Sequence, residues 1–397
     1  MLKKITVEDV DLKGKRVVAR VDFNVPINER GEVSDDFRIR AAMPTINYIL
    51  SHGASIVLMS HLGRPKGEYA SEFSLKPVCE CLRTLTEAPV DFSEDCVGDT
   101  VKALAKGLEP GEILLLENLR FHKEETKSDP NFAKELASLG DLYVNDAFGT
   151  AHRPDASVAG IPKFLQPAVA GLLMKKEIEY FDNVLDNPER PFTAILGGAK
   201  VSDKILVIEN LLNKVDNILI GGGMAFTFYK AQGLEIGSSK CEDDRVEEAK
   251  RLLALAKKKG AELILPTDIV AASEFKEDAE KKTVPADQIP SGWMGLDIGP
   301  ETVKLFSEKI SSSKTLVWNG PMGVFEMKPF AEGTLKIAEA CAAANCTSIV
   351  GGGDSASAVK KMGLSDKFSH VSTGGGASLE MLEGKKLPGV EALTDKK

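Results

Sequence analysis

The sequence predicts an α/β protein built from two lobes, each a parallel β-sheet covered by helices. Three observations lead to this fold class. Short apolar runs alternate with segments of helical periodicity, a second series of apolar runs ends in glycines, and one long amphipathic segment separates the two series. A chain of 397 residues is also long for one hydrophobic core and suits two domains.

The first half of the chain shows the alternation of strands and helices that is typical of a parallel sheet. Its strand-like runs are VVARVDF (17–23), SIVLMSH (55–61), EILLLENLRF (112–121) and DLYVNDAF (141–148), with helix-period segments between them. Sheets of this kind bind ligands at the carboxyl ends of their strands. We therefore expect a ligand site in the residues that follow these runs.

The second half repeats a different pattern, in which strands end in glycines. TAILGG (193–198), NILIGGG (217–223), SIVGGG (348–353) and HVSTGGG (370–376) do so, and KTLVWNGPMG (314–323) is close to them. Glycines at a strand-to-helix turn let backbone N–H groups approach a phosphate. One glycine pair would be ordinary turn chemistry, whereas five such strand ends in one half favour phosphate binding.

Residues 171–191, GLLMKKEIEYFDNVLDNPERP, suit one long amphipathic helix that ends at the Asn-Pro and Arg-Pro pairs. We interpret it as the connector between two Rossmann-like lobes; the alternative is a surface helix of a single large domain. The predicted boundaries are an N-terminal domain (1–170), a connecting helix or hinge (171–188), a C-terminal domain (189–376) and a C-terminal segment (377–397).

Composition and charge exclude several classes of function. Hydrophobic residues make up 43% of the chain and charged residues 27%, as in ordinary globular proteins, and the net charge of −9 argues against a general binder of nucleic acids or anionic membranes. The six cysteines form no C-x-x-C pair and no zinc-spaced cluster with the five histidines, so we expect free thiols in a reducing compartment. No signal-peptide core and no apolar run of about 18 residues occurs. We expect a cytoplasmic protein.

Arginines are concentrated in the first half, where ten of the twelve precede residue 191. Arginine binds carboxylate or phosphate through two hydrogen bonds. Each one alone would more often be a solvated surface charge, but together at one edge of a sheet they predict a site for a small, multiply charged anion. The residues concerned lie at predicted strand ends or before a helix: Arg20 with Asp22, Arg38, Arg64, Arg120 and Arg153, accompanied by His61 and His152.

The second half supplies its own cations and one unexpected acid. Lys200 and Lys204 follow the LGG turn four residues apart, which predicts one face at the start of a helix and, beside the glycine series, phosphate binding. Such a spacing is also common on solvated helices. Asp354 follows a glycine turn where an anion should bind, and Mg²⁺ between its carboxylate and phosphates would explain its presence. The alternative is a helix N-cap, with Ser355 capping or reaching a phosphate, and both roles can hold.

Other classes of protein fit less well. GGGDSA matches the loose dinucleotide pattern G-x-G-x-x-G/A, but the acid expected about 20 residues downstream is missing. The Walker A motif and the protein-kinase motifs are absent. A non-catalytic, two-lobed anion-binding or nucleotide-binding protein would fit the architecture. Two points count against this alternative. Such a protein would not need magnesium chemistry or two different kinds of phosphate site, and the sequence lacks the export signal that is usual for this class.

Eight long motifs resemble those of the phosphoglycerate kinase family. They are RVDFNVP (20–26), SHLGRPKG (60–67), LLENLRF (115–121), NDAFGTAHR (145–153), LGGAKVSDK (196–204), WNGPMGVFE (318–326), GGGDS (351–355) and STGGGASLE (372–380). The match is collinear over essentially the whole chain. The resemblance implies reversible phosphoryl transfer between 1,3-bisphosphoglycerate and ADP, giving 3-phosphoglycerate and ATP in glycolysis. It also implies a monomer, with no nucleic-acid or membrane partner, whose C-terminal segment returns to the first lobe.

The resemblance further implies site residues. The substrate site would comprise Asp22, Asn24, Arg38, His61, Leu62, Gly63, Arg64, Arg120 and Arg153, and the nucleotide site Lys204, Gly295, Glu326, Gly352, Gly353, Asp354 and Ser355. Glu326 would meet the ribose hydroxyls, and Asp354 the Mg²⁺ bound with ATP or ADP. Phosphoryl transfer needs alignment and charge stabilisation rather than a side-chain nucleophile. We therefore choose Arg38 and Lys200 as catalytic cations, and Gly375 and Gly376 as backbone donors to the transition state.

Overall fold

A computed structural model describes residues 3–396 and divides the chain into two units. The first unit comprises the chain up to Glu179 together with the residues from Lys386 onward, and the second unit comprises Tyr180–Lys385. Each unit contains a parallel six-stranded sheet with helices around it, which confirms the predicted fold class.

In the first unit the strand order is β3-β4-β2-β1-β5-β6, and every pair is parallel. Because helices cover both faces of such a sheet, its central strands are apolar along their length, and β2 and β4 are buried throughout. The strands are β1 (Arg16–Arg20), β2 (Ser55–Met59), β3 (Val90–Ser93), β4 (Ile113–Leu116), β5 (Leu142–Asn145) and β6 (Ala168–Ala170). The helices are α1 (Phe37–Ser51), α2 (Lys76–Arg83), α3 (Asp99–Gly107), α4 (Lys123–Thr126) and α5 (Pro130–Ala137).

The helix that the sequence places between the lobes is α6 (Leu172–Asp186). Two side chains of the first unit bind its first turn: Thr45 Oγ1 accepts a hydrogen bond from Leu172 N at 2.9 Å, and Asp146 Oδ1 accepts one from Met174 N at 3.0 Å. These bonds satisfy backbone donors that a helix leaves without intrahelical partners. Burial raises the pKa of Asp146 to about 6, although hydrogen bonds to its carboxylate from Thr45, Met174 and Leu173 act in the opposite direction. The hinge function of α6 remains a prediction.

In the second unit the parallel sheet has the order β15-β14-β13-β7-β8-β9. The strands are β7 (Phe192–Leu196), β8 (Asn217–Ile220), β9 (Glu262–Ile264), β10 (Asp268–Ala272), β11 (Lys281–Pro285), β12 (Met294–Ile298), β13 (Thr315–Asn319), β14 (Thr347–Gly351) and β15 (His370–Val371). The helices are α7 (Ile205–Leu211), α8 (Met224–Ala231), α9 (Val246–Lys259), α10 (Pro300–Ser312), α11 (Glu332–Ala343), α12 (Gly353–Lys361) and α13 (Gly375–Leu382).

A second, antiparallel sheet in the order β11-β10-β12 is a feature that the sequence analysis did not anticipate. It has a small apolar cluster of its own, in which Ala272, Leu296 and Phe330 are buried. Its strand β12 contributes to a cavity described below.

The residues from Lys386 onward pack on the first unit, where they form α14 (Pro388–Glu391). Gly389 N donates to Ala151 O at 2.8 Å, and Thr394 N donates to Ala168 O at 2.9 Å. Helix α13 stays with the second unit, where Asn210 Nδ2 donates to Leu382 O at 2.8 Å. The six cysteines are free, as predicted. None of the helices within residues 3–396 combines the length and the apolar character needed to cross a membrane.

The glycine-rich loops of the second unit pack backbone against backbone. Gly222 has φ +70°, and a Cβ there would lie 2.5 Å from Gly198 O. Gly320 has φ +101°, and a Cβ there would overlap Gly197 O. Both the left-handed conformation and the close approach require glycine. These contacts bring together the loops that follow β7, β8 and β13.

The substitution Gly222→Ala tests this packing against Gly260→Ala as a control. Gly260 has nearly the same φ of +76° but has no atom within 4 Å of a Cβ. Gly260→Ala should lower the free energy of unfolding by about 1–2 kcal/mol through conformational strain. Gly222→Ala should cost a further ~1–3 kcal/mol because it also overpacks the loop. Denaturant unfolding measures both; equal losses would show that backbone packing adds nothing.

Candidate functional site

Charged side chains gather at the carboxyl edge of the first sheet. The loops after β1 and β2 are held together there by hydrogen bonds. Arg38 Nη1 lies 3.1 Å from Asp22 Oδ2 and donates to Asn24 O at 3.0 Å, while Asn24 Oδ1 accepts from Gly63 N at 2.9 Å. Leu62, beside Gly63, is buried. This network fixes the loop that precedes α1 relative to the loop that follows β2.

His61 is a buried imidazole surrounded by guanidinium groups. Burial is the main cause that lowers its pKa well below the ordinary 6.5, and the nearby positive charges lower it further, so the ring is neutral. Arg20 Nη2 lies 3.0 Å from His61 Nδ1. Because arginine only donates, Nδ1 accepts this hydrogen bond and the proton is carried by Nε2. His61 can therefore donate a hydrogen bond to an anion. The groups that lower its pKa are Arg20, Arg120, Arg153 and Arg38, in that order.

Arg120 is buried and only partly hydrogen-bonded. Its Nη1 donates to Gly63 O at 2.8 Å, whereas Nε and Nη2 have no hydrogen-bond partner within residues 3–396. Asp155 Oδ2 is 4.0 Å from Nη2. Burial lowers the pKa of Arg120 to about 10, which leaves it charged at neutral pH. Buried donors without partners are costly, and an anionic ligand would satisfy them.

Two further predicted substrate residues lie differently. Arg153 Nε donates to His152 Nε2 at 3.3 Å, and its positive charge helps to lower the pKa of His61 and that of Arg120. Arg64 is exposed, on the loop that contains Gly63, and its side chain makes no hydrogen bond or ion pair with the described residues 3–396. Arg64 is thus next to Gly63 in sequence, but its side chain lies outside the buried hydrogen-bond network of the site.

In the second unit, glycine loops at the carboxyl ends of the strands line an open cavity of about 580 Å³. The N-termini of α12 and α13 lie side by side at this cavity, since a Cβ on Gly375 would be 3.3 Å from Gly353 N. Gly352 precedes α12, and exposed Gly376 lies in the first turn of α13. First-turn N–H groups lack intrahelical partners and attract anions. This cavity is therefore suited to phosphate.

Lys204 and Asn319 form a buried pair in the same cavity. Lys204 Nζ donates to Asn319 Oδ1, and burial lowers the Lys204 pKa, although nearby acids oppose this effect. Asn319 Nδ2 is buried and has no hydrogen-bond partner within residues 3–396. The pair thus offers a cation and an unused amide donor to a ligand.

Lys200 also lines this cavity, but it is exposed and lies outside any helix. The prediction that Lys200 and Lys204 share a face at the start of a helix is wrong, because α7 begins only at Ile205, with Lys204 as its N-cap. The turn before α7 is held instead by Glu242, whose carboxylate accepts from Ser202 N at 2.9 Å and from Ser202 Oγ at 2.6 Å.

Asp354 lies in the first turn of α12, and Gly352 occupies the N-cap position. The capping interpretation of Asp354 is therefore wrong. Ser355 Oγ does not cap the helix either, because it accepts a hydrogen bond from Gly320 N at 2.6 Å. The exposed carboxylate of Asp354 lines the phosphate-type cavity and also a neighbouring one. An oxygen ligand at this position suits Mg²⁺.

The neighbouring cavity has a volume of about 390 Å³ and a largely apolar lining. Gly295 lines one wall, and a Cβ there would overlap the Phe226 ring. Glu326 is exposed and also lines this cavity. This apolar cavity, called the apolar slot below, lies beside an acid and a phosphate-type cavity and suits a heteroaromatic base with its sugar. Apolar lining comes from Phe226, Ile269, Phe275, Met294, Leu296, Met322 and Val324.

Asp297 is a buried acid in the lining of this slot that the sequence analysis missed. Its Oδ1 accepts from Ile298 N at 2.9 Å and its Oδ2 from Gly333 N at 2.7 Å. Burial nevertheless raises its pKa to about 7. Asn319 was also not proposed as a site residue. The available signal was the same for both: a polar residue inside or at the end of an otherwise apolar strand.

The parallel α/β fold, the arginine cluster and the glycine-lined cavities fit one class of protein, an α/β phosphotransferase without a Walker A motif. The family model described as phosphoglycerate kinase matches residues 7–385. The chain belongs to the phosphoglycerate kinase family. It is a glycolytic kinase that uses a carboxyl group as phosphoryl acceptor, and the non-catalytic alternative is not favoured.

Relatives agree with this assignment over their full length. The chain is 58% identical over 395 residues to phosphoglycerate kinase of Moorella thermoacetica, covering 100% of both chains. It is 57% identical over 393 residues to cytosolic phosphoglycerate kinase of Triticum aestivum, covering 98% of both. Among solved structures, phosphoglycerate kinase from Coxiella burnetii is similar with a TM-score of 0.88 and 41% identity, covering 98% of both chains.

Asp297 predicts a specific pH dependence of stability. Its pKa is about 7 in the folded chain and ordinarily 3.8, so between these values the folded state holds a proton that the unfolded state releases. Stability must therefore fall as pH rises through this range, by at most about 4 kcal/mol. In Asp297→Asn this contribution is absent, so the parent protein should lose more stability than the variant between pH 4 and pH 7. Parallel curves of unfolding free energy against pH would contradict the prediction.

Proposed function

We propose that this chain binds 3-phosphoglycerate or 1,3-bisphosphoglycerate at the arginine site of the first unit and ADP or ATP at the glycine loops of the second. The observation that carries the first assignment is the buried Arg120 guanidinium, two of whose nitrogen atoms, Nε and Nη2, have no hydrogen-bond partner within residues 3–396. Neutral His61 would add a directional donor, and Arg38 and Arg153 further charge. The acidic substrate would contact Asp22, Asn24, Arg38, His61, Leu62, Gly63, Arg64, Arg120 and Arg153.

On the nucleotide side, the base would occupy the apolar slot beside Gly295, and Glu326 would bind the ribose hydroxyls. The phosphates would lie in the larger cavity, against Lys204 and the amide groups of Gly352, Gly353 and Ser355. Asp354 is the residue that would hold Mg²⁺, because its carboxylate is exposed and lines both cavities. Bound Mg²⁺ would neutralise charge on the phosphate oxygens.

In the proposed reaction, a carboxylate oxygen of 3-phosphoglycerate attacks the terminal phosphorus of ATP, and the bond from that phosphorus to ADP breaks; the reverse reaction forms ATP. The chain needs no covalent nucleophile, because both exchanging oxygens belong to the substrates. We assign Arg38 and Lys200 to stabilise charge on the moving phosphoryl group. The backbone N–H groups of Gly375 and Gly376 would add donors from a helix N-terminus.

We propose that the enzyme acts as a monomer in the cytoplasm, without nucleic-acid or membrane partners. The net charge of −9 and the small-molecule nature of the substrates support this proposal. The name of the Triticum aestivum relative describes that protein as cytosolic.

The activity is tested by mixing the purified chain with 1,3-bisphosphoglycerate and Mg·ADP and coupling ATP formation to a reporter enzyme. We expect ATP only when both substrates are present, with loss of the signal when magnesium is chelated. Absence of ATP in the complete mixture would refute the proposed reaction.

Arg120→Ala should weaken binding of 3-phosphoglycerate while nearly sparing ADP, because Arg120 belongs to the first unit. Losing a charge-assisted contact should cost about 1.5–3 kcal/mol, roughly 10–150-fold in affinity. Arg83→Ala, an exposed arginine on α2 of the same unit, is the control and should change neither affinity. Calorimetric titration with each ligand separates the outcomes; equal losses for both ligands would disprove the assignment of the site.

Asp354→Asn should weaken binding of Mg·ADP and slow turnover, with a smaller effect on metal-free ADP. The amide keeps the shape of the side chain but loses the charge that Mg²⁺ requires. Asp366→Asn, in a neighbouring short helix, controls for loss of one negative charge. The measurement is turnover across a magnesium titration. Identical magnesium dependence of the two variants would exclude a metal-binding role for Asp354.

We also propose that the two units approach each other about α6 when both substrates are bound. Transfer requires the reacting atoms to come within about 3–3.5 Å, whereas a permanently closed site would impede exchange of ligands. Small-angle scattering should give little change in radius of gyration with one ligand and a clear decrease with both.

If Arg38 and Lys200 stabilise the moving phosphoryl group, Arg38→Ala and Lys200→Ala should lower kcat far more than they lower nucleotide affinity. The scattering experiment tests the motion separately. Four identical scattering profiles (free, each ligand, both) would rule out the motion.

A further inference from the structure

Three side chains of the first unit form a cluster apart from the substrate residues described above. Asp95 and Cys96 follow β3, an edge strand of the sheet, and His122 follows the short 3₁₀ helix Leu119–Phe121. One ligand atom from each of these residues lies within 4.8 Å of the other two. His122 Nε2 is 2.7 Å from Asp95 Oδ1. An imidazole, a thiol and a carboxylate thus converge on one point.

We propose that Asp95, Cys96 and His122 bind one divalent transition-metal ion of the zinc type. Nitrogen, sulfur and carboxylate oxygen are the ligands that Zn²⁺ takes in proteins. A thiolate favours Zn²⁺ over Mg²⁺, which prefers oxygen ligands alone. Three protein ligands leave a fourth tetrahedral position for water; Asp95 is exposed, His122 is partly exposed and Cys96 is buried.

The distances between the three ligand atoms are close to those around a bound metal ion. Tetrahedral bonds of the usual zinc lengths place ligand atoms about 3.3–3.5 Å apart. The Asp95–His122 pair, at 2.7 Å, must open by roughly half an ångström, and no pair needs to close by more than about 1.5 Å, because all lie within 4.8 Å.

The ligands are also held in place before a metal arrives. The His122 ring stacks on Phe132 with centroids 5.1 Å apart. Asp95 Oδ1 accepts from Cys96 N at 2.6 Å, and Ser93 Oγ donates to Asp95 O at 2.9 Å. Supporting contacts of this kind orient metal ligands and strengthen binding.

Three acidic side chains, Asp95, Glu125 and Glu117, lie near the buried thiol of Cys96. Their negative charges attract a metal ion. On binding, the S–H bond breaks, a sulfur–metal bond forms, and the proton leaves to solvent. The carboxylates then face a bound metal cation, whereas a free thiolate would add another negative charge beside them.

The test uses Co²⁺ as a spectroscopic substitute for Zn²⁺ on the chelator-treated full chain, without nucleotide and with excess Mg²⁺. We expect one Co²⁺ per chain, with the charge-transfer absorption of a thiolate–cobalt bond, and displacement by Zn²⁺. Cys96→Ala should abolish this absorption, whereas Cys79→Ala, an equally buried cysteine on α2, should keep it. His122→Gln should weaken binding by at least about 10–100-fold, and His52→Gln, an exposed histidine, should not.

Absence of thiolate absorption in the parent chain would overturn the proposal, as would its persistence in Cys96→Ala. Unchanged affinity in His122→Gln would do the same. Because His122 is partly exposed, its variant keeps the test decisive if Cys96→Ala fails to fold.

Discussion

Parallel pairing of every strand in both six-stranded sheets is the constraint on which the proposed sites depend. In a parallel sheet all carboxyl ends lie at one edge, so loops that are distant in sequence meet there. In the first unit this brings the loop after β1 to the loops after β2 and β4, and the hydrogen bonds of Asn24 and Arg120 to Gly63 join them. In the second unit the loops after β7, β8 and β13 meet through glycine backbones. Without parallel pairing, neither set of donors would converge.

The two units offer anions different kinds of donor. The first uses guanidinium groups, whose planar fork suits a small acid and whose charge persists even when burial lowers the pKa of Arg120 to about 10. The second relies on helix N-termini and on glycines that admit a ligand close to the backbone, with Lys204 as the buried cation. Backbone N–H groups suit a chain of phosphates, because their partial positive charge does not depend on pH and the glycines leave room for close approach.

Much of this organisation could be predicted from sequence. Apolar runs followed by arginines or glycines give the strand ends and the fold class, because burial on both faces forces a parallel strand to be apolar. The antiparallel sheet was missed because β11, KKTVP, is mostly exposed and lacks an apolar pattern. The start of α7 was misplaced because Glu242, 40 residues away in sequence, holds the preceding turn. Asp297 and Asn319 were missed because their roles depend on cavities formed by several loops, which no single stretch of sequence reveals.

We propose that the first unit binds its ligand mainly through side-chain guanidinium groups and the second through backbone amides. NMR on ¹⁵N-labelled protein tests it directly, by following arginine Nε signals and glycine amide signals in separate titrations. We predict that 3-phosphoglycerate shifts the Nε signals of Arg38 and Arg120, while Mg·ADP shifts the amides of Gly352, Gly353 and Gly375. Unchanged amide signals with Mg·ADP, or amide signals that 3-phosphoglycerate shifts more than the arginine signals, would rule out this division between side-chain and backbone donors.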